Sequence, residues 1–394
     1  MRAGKVLLVL ICSCLLGGCW DRKEINDVAF VLGTAADKEG EKYRTTLQIA
    51  LPSQLSTAGT SGGGGGTSGD KSYYLESKTG RTMREVHDKE QENASRKLNY
   101  SHRRTLIIGA DLARMGIARL TDVLARTPEN RLSTLVVVAE GHGFDILQAQ
   151  APIEQYPAEM VRELAYTYMK EPRNLKLLMH TMLSEGVDPV VPVVGLVDSL
   201  PQSWKDSKKN IKIKGLAVFK GDKVTGTVSD ELARGLLLVM DQSKSTEYVI
   251  EPPAGKGEIT LLLNETDVKI TPSVQGDEIK MIISLRIKGE LSENESEYNV
   301  ALPRNMKWLE REAENLIRQN VEESIRTVQQ DYESDVLGFG RVLKTNLPQF
   351  WDQVKGHWSK LYPQVDVEVR TSVHVEGTGA ISKPFGLRED QIHD

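Results

Sequence analysis

The chain has no cysteine beyond residue 19: its three thiols are Cys12, Cys14 and Cys19 in 394 residues. A body without thiols builds neither a disulfide framework nor a thiolate metal site, so packing must hold it together. A second long apolar run is also missing. Thr134 to Ala139 and Leu236 to Met240 have only the length of core elements, far short of the ~20 residues of a membrane-spanning helix. Basic charge is not in excess either. The net charge of −5 argues against general nucleic-acid binding, which needs a basic face to neutralise phosphates.

Catalytic signatures are equally scarce. His87, His102, His142, His180, His357, His374 and His393 are scattered, with no His-Glu-x-x-His and no i, i+4 pair, so a zinc site has no local template. Gly-x-Ser-x-Gly occurs only at Gly59 to Gly63, inside a Ser, Thr and Gly run that has no strand-to-helix pattern around it, which leaves a hydrolase elbow without a candidate. Gly141-His-Gly143 and Gly338-Phe-Gly340 begin like a dinucleotide fingerprint, but Ile146 and Leu343 occupy the place of its third glycine; both read as turns. Trp351 and Trp358 lie one heptad apart, and core packing is favoured over stacking on a ligand. No catalytic, cofactor or metal residue is assigned.

What is present begins at the N-terminus. Arg2 and Lys5 precede Val6 to Leu16, an eleven-residue run that is apolar apart from Ser13 and two thiols, the length of a signal-peptide core. Leu16-Gly17-Gly18-Cys19 then fits a lipoprotein cleavage site. Residues 1–18 are read as a cleaved lipoprotein signal peptide, and Cys19 as the lipidation site, S-diacylglycerol and N-acyl. One acyl chain binds a membrane only marginally; two or three hold durably, at about 0.8 kcal/mol per buried methylene. Loss of Arg2 and Lys5 with the leader takes the net charge to −7.

Along the remaining chain the pattern predicts an α+β fold of three mixed domains. An N-terminal domain, 19–205, opens with a hairpin of Ile25 to Ala36 and Tyr43 to Leu51, turning at Asp37 to Gly40. Its Ser, Thr and Gly run at 53–70 buries almost nothing and reads as a flexible loop; a phosphate loop would need Gly-Lys, and Asp70 separates Gly69 from Lys71. A charged helix from about Arg81 to Leu98, a strand at Arg103 to Gly109, Asp111 as a helix cap, a helix at Ile117 to Arg126, a strand at Thr134 to Ala139 and three further helices follow. A linker is expected near Asp198 to Asn210.

Residues 206–266 read as a small middle domain of strands around a helix capped by Ser229. In the C-terminal domain, 267–383, Leu309, Ala313, Leu316, Ile317, Val321, Ile325, Val328 and Tyr332 recur every three or four residues on a long helix from Pro303 to about Val336. That helix is expected to pack on an antiparallel sheet closed by Val365 to Val375. Residues 384–394 form a polar tail.

Several stretches together resemble one family. GCWDRKEINDVAFVLGTAAD, SRKLNYSHRRTLIIGADLARMG at Ser95 to Gly116 and LARTPENRLSTLVVVAEGHGFDIL at Leu124 to Leu147 are similar to the C-subunit lipoproteins of bacterial spore germinant receptors, the Ger(x)C family. So are IKIKGLAVFKGDKVTGTVSDELARGLLLV at Ile211 to Val239 and the DVLGFGRVL, FW and LYP elements near Asp335, Phe350 and Leu361. The resemblance implies a three-domain protein tethered through Cys19 to membrane lipid on the outer face of the spore inner membrane. It also implies work beside integral membrane A and B subunits in nutrient-triggered germination, with no cofactor and no catalytic residue to carry over. The competing reading is a solute-binding lipoprotein that delivers a small molecule to a transporter.

Overall fold

The computed structural model describes residues 27–51, 72–199, 209–276, 278–377 and 393. The leader with Cys19, the 53–70 loop and most of the 384–394 tail lie outside them. The fold is α+β, built on two sheets.

The larger sheet has nine strands: β1 (Val28–Glu39), β2 (Lys42–Ala50), β3 (Tyr73–Gly80), β4 (Lys97–Asn99), β5 (Thr105–Ile108), β6 (Leu135–Ala139), β7 (Val190–Asp198), β8 (Lys209–Lys220) and β9 (Lys223–Val228). Their order is β3-β2-β1-β5-β6-β7-β8-β9, with β4 also beside β1. The central block β1-β5-β6-β7 is parallel, and antiparallel strands flank it on both sides. Parallel neighbours need crossover connections, which helices supply: α1 (Met83–Asn93), α2 (Ala110–Met115), α3 (Ala118–Arg126), α4 (Gly143–Gln148), α5 (Pro157–Tyr168) and α6 (Leu175–Met182). Helices cover both faces, so the short apolar runs are buried throughout. Leu106, Ile108, Val136 and Val138 pack with α2, α3 and α6. Their alternates Ile107, Val137 and Ala139 pack with α4 and α5.

Local differences from the sequence reading have physical causes. Asp37 is a buried strand residue rather than a turn residue; its carboxylate accepts from the N–H groups of Gly143 (2.7 Å) and Phe144 (3.1 Å) at the start of α4. α1 stops at Asn93 because Leu98 belongs to β4, where it packs with Val31, Leu47 and Ile49. Asp111 is not the cap of α2. Gly109 holds that position, and Asp111 pairs with Arg114 at 2.9 Å. β7 had no place in the sequence reading, since Pro189 and Pro192 interrupt its apolar run.

The segment 206–266, expected as a small middle domain, is divided between the sheets. Its first two strands, β8 and β9, extend the larger sheet. β10 (Thr246–Ile250) and β11 (Ile259–Gln275) belong to the smaller one, whose order is β10-β11-β12-β13, with β12 at Glu278–Asn294 and β13 at Asp366–Val375. Three of these strands are antiparallel in sequence, whereas β13 runs parallel to β12. A helical crossover lies between the last two, as a parallel pair requires. Between β12 and the helix that follows, Tyr298 forms only an isolated bridge, to His393.

That crossover begins with the long helix α8 (Pro303–Arg326), which ends in a π-turn at Thr327–Asp331. The apolar stripe is read correctly: Leu309, Ala313, Ile317, Val321, Ile325 and Val328 are buried against the smaller sheet. The same core continues into Leu216, Val218 and Val228 of the larger sheet through α7 (Asp230–Val239). α7 crosses α8 at Gly235, where an added Cβ would lie 2.2 Å from Ser324 Oγ and 2.9 Å from Asn320 O. The two sheets therefore share one apolar interior.

Truncation along α8 tests this packing. Ile317→Ala, at a fully buried position, is expected to cost about 2–5 kcal/mol, and Glu312→Ala, on the exposed face, less than about 0.5 kcal/mol. Urea denaturation of the two variants measures both; equal costs would contradict the placement of the helix.

Candidate functional site

A densely connected polar site lies where the two sheets meet. The loop after α6 brings Glu185, Gly186 and Asp188 against residues 333–341, which follow the π-turn of α8. Backbone hydrogen bonds join the two segments directly: Asp188 N–H donates to Asp335 O and Arg341 N–H to Gly186 O, each at 2.9 Å.

Two carboxylates organise this joint. Asp335 is 3% exposed and accepts from Phe339 N–H (2.8 Å), Gly340 N–H (2.9 Å) and the indole N–H of Trp358 (3.0 Å). Those backbone donors open α9 (Phe339–Asn346), an anion-binding position. Asp188 accepts from Gly221 N–H (2.8 Å) in the larger sheet and from Asp335 N–H (2.9 Å). Its carboxylate thus bridges the turn between β8 and β9 to the C-terminal segment. Ser334 Oγ donates to Phe219 O, and Lys220 pairs with Glu333 at 2.7 Å. Tyr332 OH donates to Thr227 O at 3.0 Å.

Burial is the main influence on both acids. It pushes Asp335 up to about 7, against the N–H donors of Gly340, Phe339 and Trp358, with the nearby Asp188 adding to the rise. Asp188 is likewise raised by burial, while the N–H groups of Gly221 and Asp335 oppose the shift.

Close approach depends on two glycines. Gly186 has φ +69°, and a Cβ there would sit 2.5 Å from Gly340 C; one on Gly340 would lie 2.5 Å from Gly186 Cα and 2.8 Å from both Trp351 and Trp358. The tryptophans pack edge to face at 5.6 Å and are buried, as the sequence reading favoured. Beside the joint is a cleft of about 400 Å³ lined by Arg173, His180, Asp188, Asp241, Gln242 and Arg341. The arrangement holds two sheets together and presents a polar cleft. It pairs no nucleophile with a base.

Cys19, the one assigned site residue, lies outside the described residues. The histidines take separate places: His87 is 3.0 Å from Tyr100 OH, His102 meets the Phe30 ring edge-on, and His374 is 3.1 Å from Glu310. Among the described residues no group of three or more His, Cys, Asp or Glu is arranged to hold a metal. No helix among them is long and apolar enough to cross a membrane. Sequence reasoning passed over Asp188 and Asp335 as individual residues. Its available signal was an acid a few positions before a Gly-Phe-Gly turn that opens a helix.

Residues 21–196 match the family described as spore germination protein N-terminal domain, and residues 214–379 the one described as spore germination B3/GerAC-like, C-terminal. The chain is 36% identical over 378 residues to the putative spore germination protein YfkR of Bacillus subtilis (strain 168), covering 96% of this chain and 97% of that one. It is 24% identical over 396 residues to spore germination protein KC of the same organism, covering 96% of each. The crystal structure of the GerBC protein superposes with a TM-score of 0.55 at 18% identity, covering 90% of this chain and all of that one; this likeness concerns the fold.

The titration of Asp335 has a definite sign. With its folded pKa about 7 and an ordinary value of 3.8, its contribution to stability is complete below about pH 4 and lost as pH rises through 7. Asp335→Asn, which cannot titrate, should therefore be most destabilising relative to the parent at pH 4. The difference should shrink toward pH 7 by at most about 4 kcal/mol. Denaturant titrations of both proteins across that range measure it, and a difference that widens with pH would show an ionised, N–H-stabilised carboxylate instead.

Proposed function

The chain belongs to the spore germination family with a GerAC-like C-terminal domain, and from that membership we propose that it is the lipid-anchored C subunit of a spore germinant receptor. One observation carries the reading. The family match begins at residue 21 and runs to 379 in two segments, so it starts two residues after the cysteine that closes the leader.

In this reading Cys19 takes a diacylglyceryl thioether, the leader is removed, and the freed amine is acylated. The body stands on the outer face of the spore inner membrane beside integral A and B subunits. It takes part in nutrient-triggered germination without chemistry of its own. Tethering supplies the partner contacts with effective concentration, so they need little contact energy. The joint supports this role, because a body whose sheets share one interior is carried as a unit by a single anchor. A solute-binding lipoprotein would instead be expected to have two similar lobes around a cleft. A nine-stranded, centrally parallel sheet and a four-stranded one are not a matched pair.

Cys19→Ala spores test the proposal. Acyl labelling of the protein should disappear and receptor-dependent germination should fall to background. Retained membrane attachment with normal germination would contradict it.

A further inference from the structure

A second polar site lies away from the joint, under α1. A cavity of about 60 Å³ lies there between the larger sheet, α1 and α3, with Thr34, Thr45, His87, Glu90, Tyr100 and Arg103 among its lining residues. Arg103 and Arg104 are consecutive, so alternation at the start of β5 sends them to opposite sides. Arg104 points outward to Glu159, 3.3 Å away, whereas Arg103 is 4% exposed. The Arg103 backbone is fixed at both ends: its N–H donates to Tyr100 O at 3.0 Å, and its carbonyl accepts from Thr134 Oγ1 at 3.1 Å.

The guanidinium stands over the Tyr100 ring, 5.8 Å from its centroid, but its edge is not hydrogen-bonded. Nε and Nη2 of Arg103 have no hydrogen-bond partner, and neither does Thr34 Oγ1 on the same cavity. Buried polar atoms are paired in the great majority of cases, and a buried charge without a partner is costly. Glu90 is near enough to favour the charged guanidinium but does not hydrogen-bond its edge. Its carboxyl is engaged by the hydroxyls of Thr45 and Tyr100, the latter at 3.3 Å, and Tyr100 OH in turn lies 3.0 Å from His87 Nδ1. Burial also pushes Glu90 up to about 7, which weakens it as a counter-charge.

Nε and Nη2 form the edge of a guanidinium that engages a planar oxyanion through two parallel hydrogen bonds. The orphaned Thr34 hydroxyl offers a third donor. We propose that this cavity binds a small planar oxyanion of acetate size on Arg103, with Thr34 completing its coordination. A cavity of about 150 Å³ accepts benzene, so this smaller one suits a group of about four heavy atoms, and a sugar or nucleotide is too large. The site is separate from the joint, and it does not depend on the anchoring role.

Calorimetric titration of the full chain in detergent, with sodium acetate or sodium nitrate at constant ionic strength set by sodium chloride, tests the proposal. Saturable binding is expected. Response to both ions identifies a general oxyanion site, and response to acetate alone a carboxylate site. Thr34→Val keeps the side-chain shape and should weaken binding about 3- to 10-fold, the loss of one hydrogen bond. Arg103→Lys keeps the charge but loses the fork, and should weaken it about 10- to 100-fold. No saturable binding to the native chain, or affinity unchanged by Thr34→Val in a variant shown to be folded by circular dichroism, would overturn the assignment. Thr34→Val decides the matter if Arg103→Lys does not fold.

Discussion

The buried carboxylate of Asp335 is the constraint around which the two halves are arranged. It collects two backbone donors from the start of α9 and the indole N–H of Trp358, while its own backbone is gripped by Asp188 from the other side. With the Gly186–Gly340 contact and the apolar core running through α7, these bonds make the sheets parts of one body. No disulfide contributes, because no thiol follows residue 19. Polar satisfaction and packing do the work that crosslinks do in many small exported domains.

Much of this fold was legible in the sequence. The parallel strands around Leu106 and Val136 are continuous apolar runs, and the buried stripe of α8 follows a plain helical period, so local pattern and tertiary outcome agree. Element boundaries are less legible where burial overrides local chemistry. Asp37 reads as a turn residue until the N-terminus of α4 is brought to it. β7 is masked by prolines, and the segment 206–266 has the length of a domain although its strands pair in two different sheets. Long-range pairing of that kind leaves no local mark.

The polar sites show the same division. The lipid attachment proposed at Cys19 rests on a local motif, readable without any fold. Asp188 and Asp335 acquire their significance only through each other, across 147 positions of chain. Arg103 could have been suspected from the pattern alone, since one of two adjacent arginines entering a strand must face inward. Its orphaned nitrogens and the neighbouring Thr34 hydroxyl required the assembled sheet. The two proposals together describe one body with an oxyanion site beneath α1 and a lipid anchor at Cys19.

Mass spectrometry of the N-terminal peptide of the protein taken from spore membranes tests that picture most directly. The account predicts a chain that begins at Cys19, with a diacylglyceryl thioether on its sulfur and an acyl group on its amine. A free thiol at Cys19, or a chain that still carries residues 1–18, would contradict it.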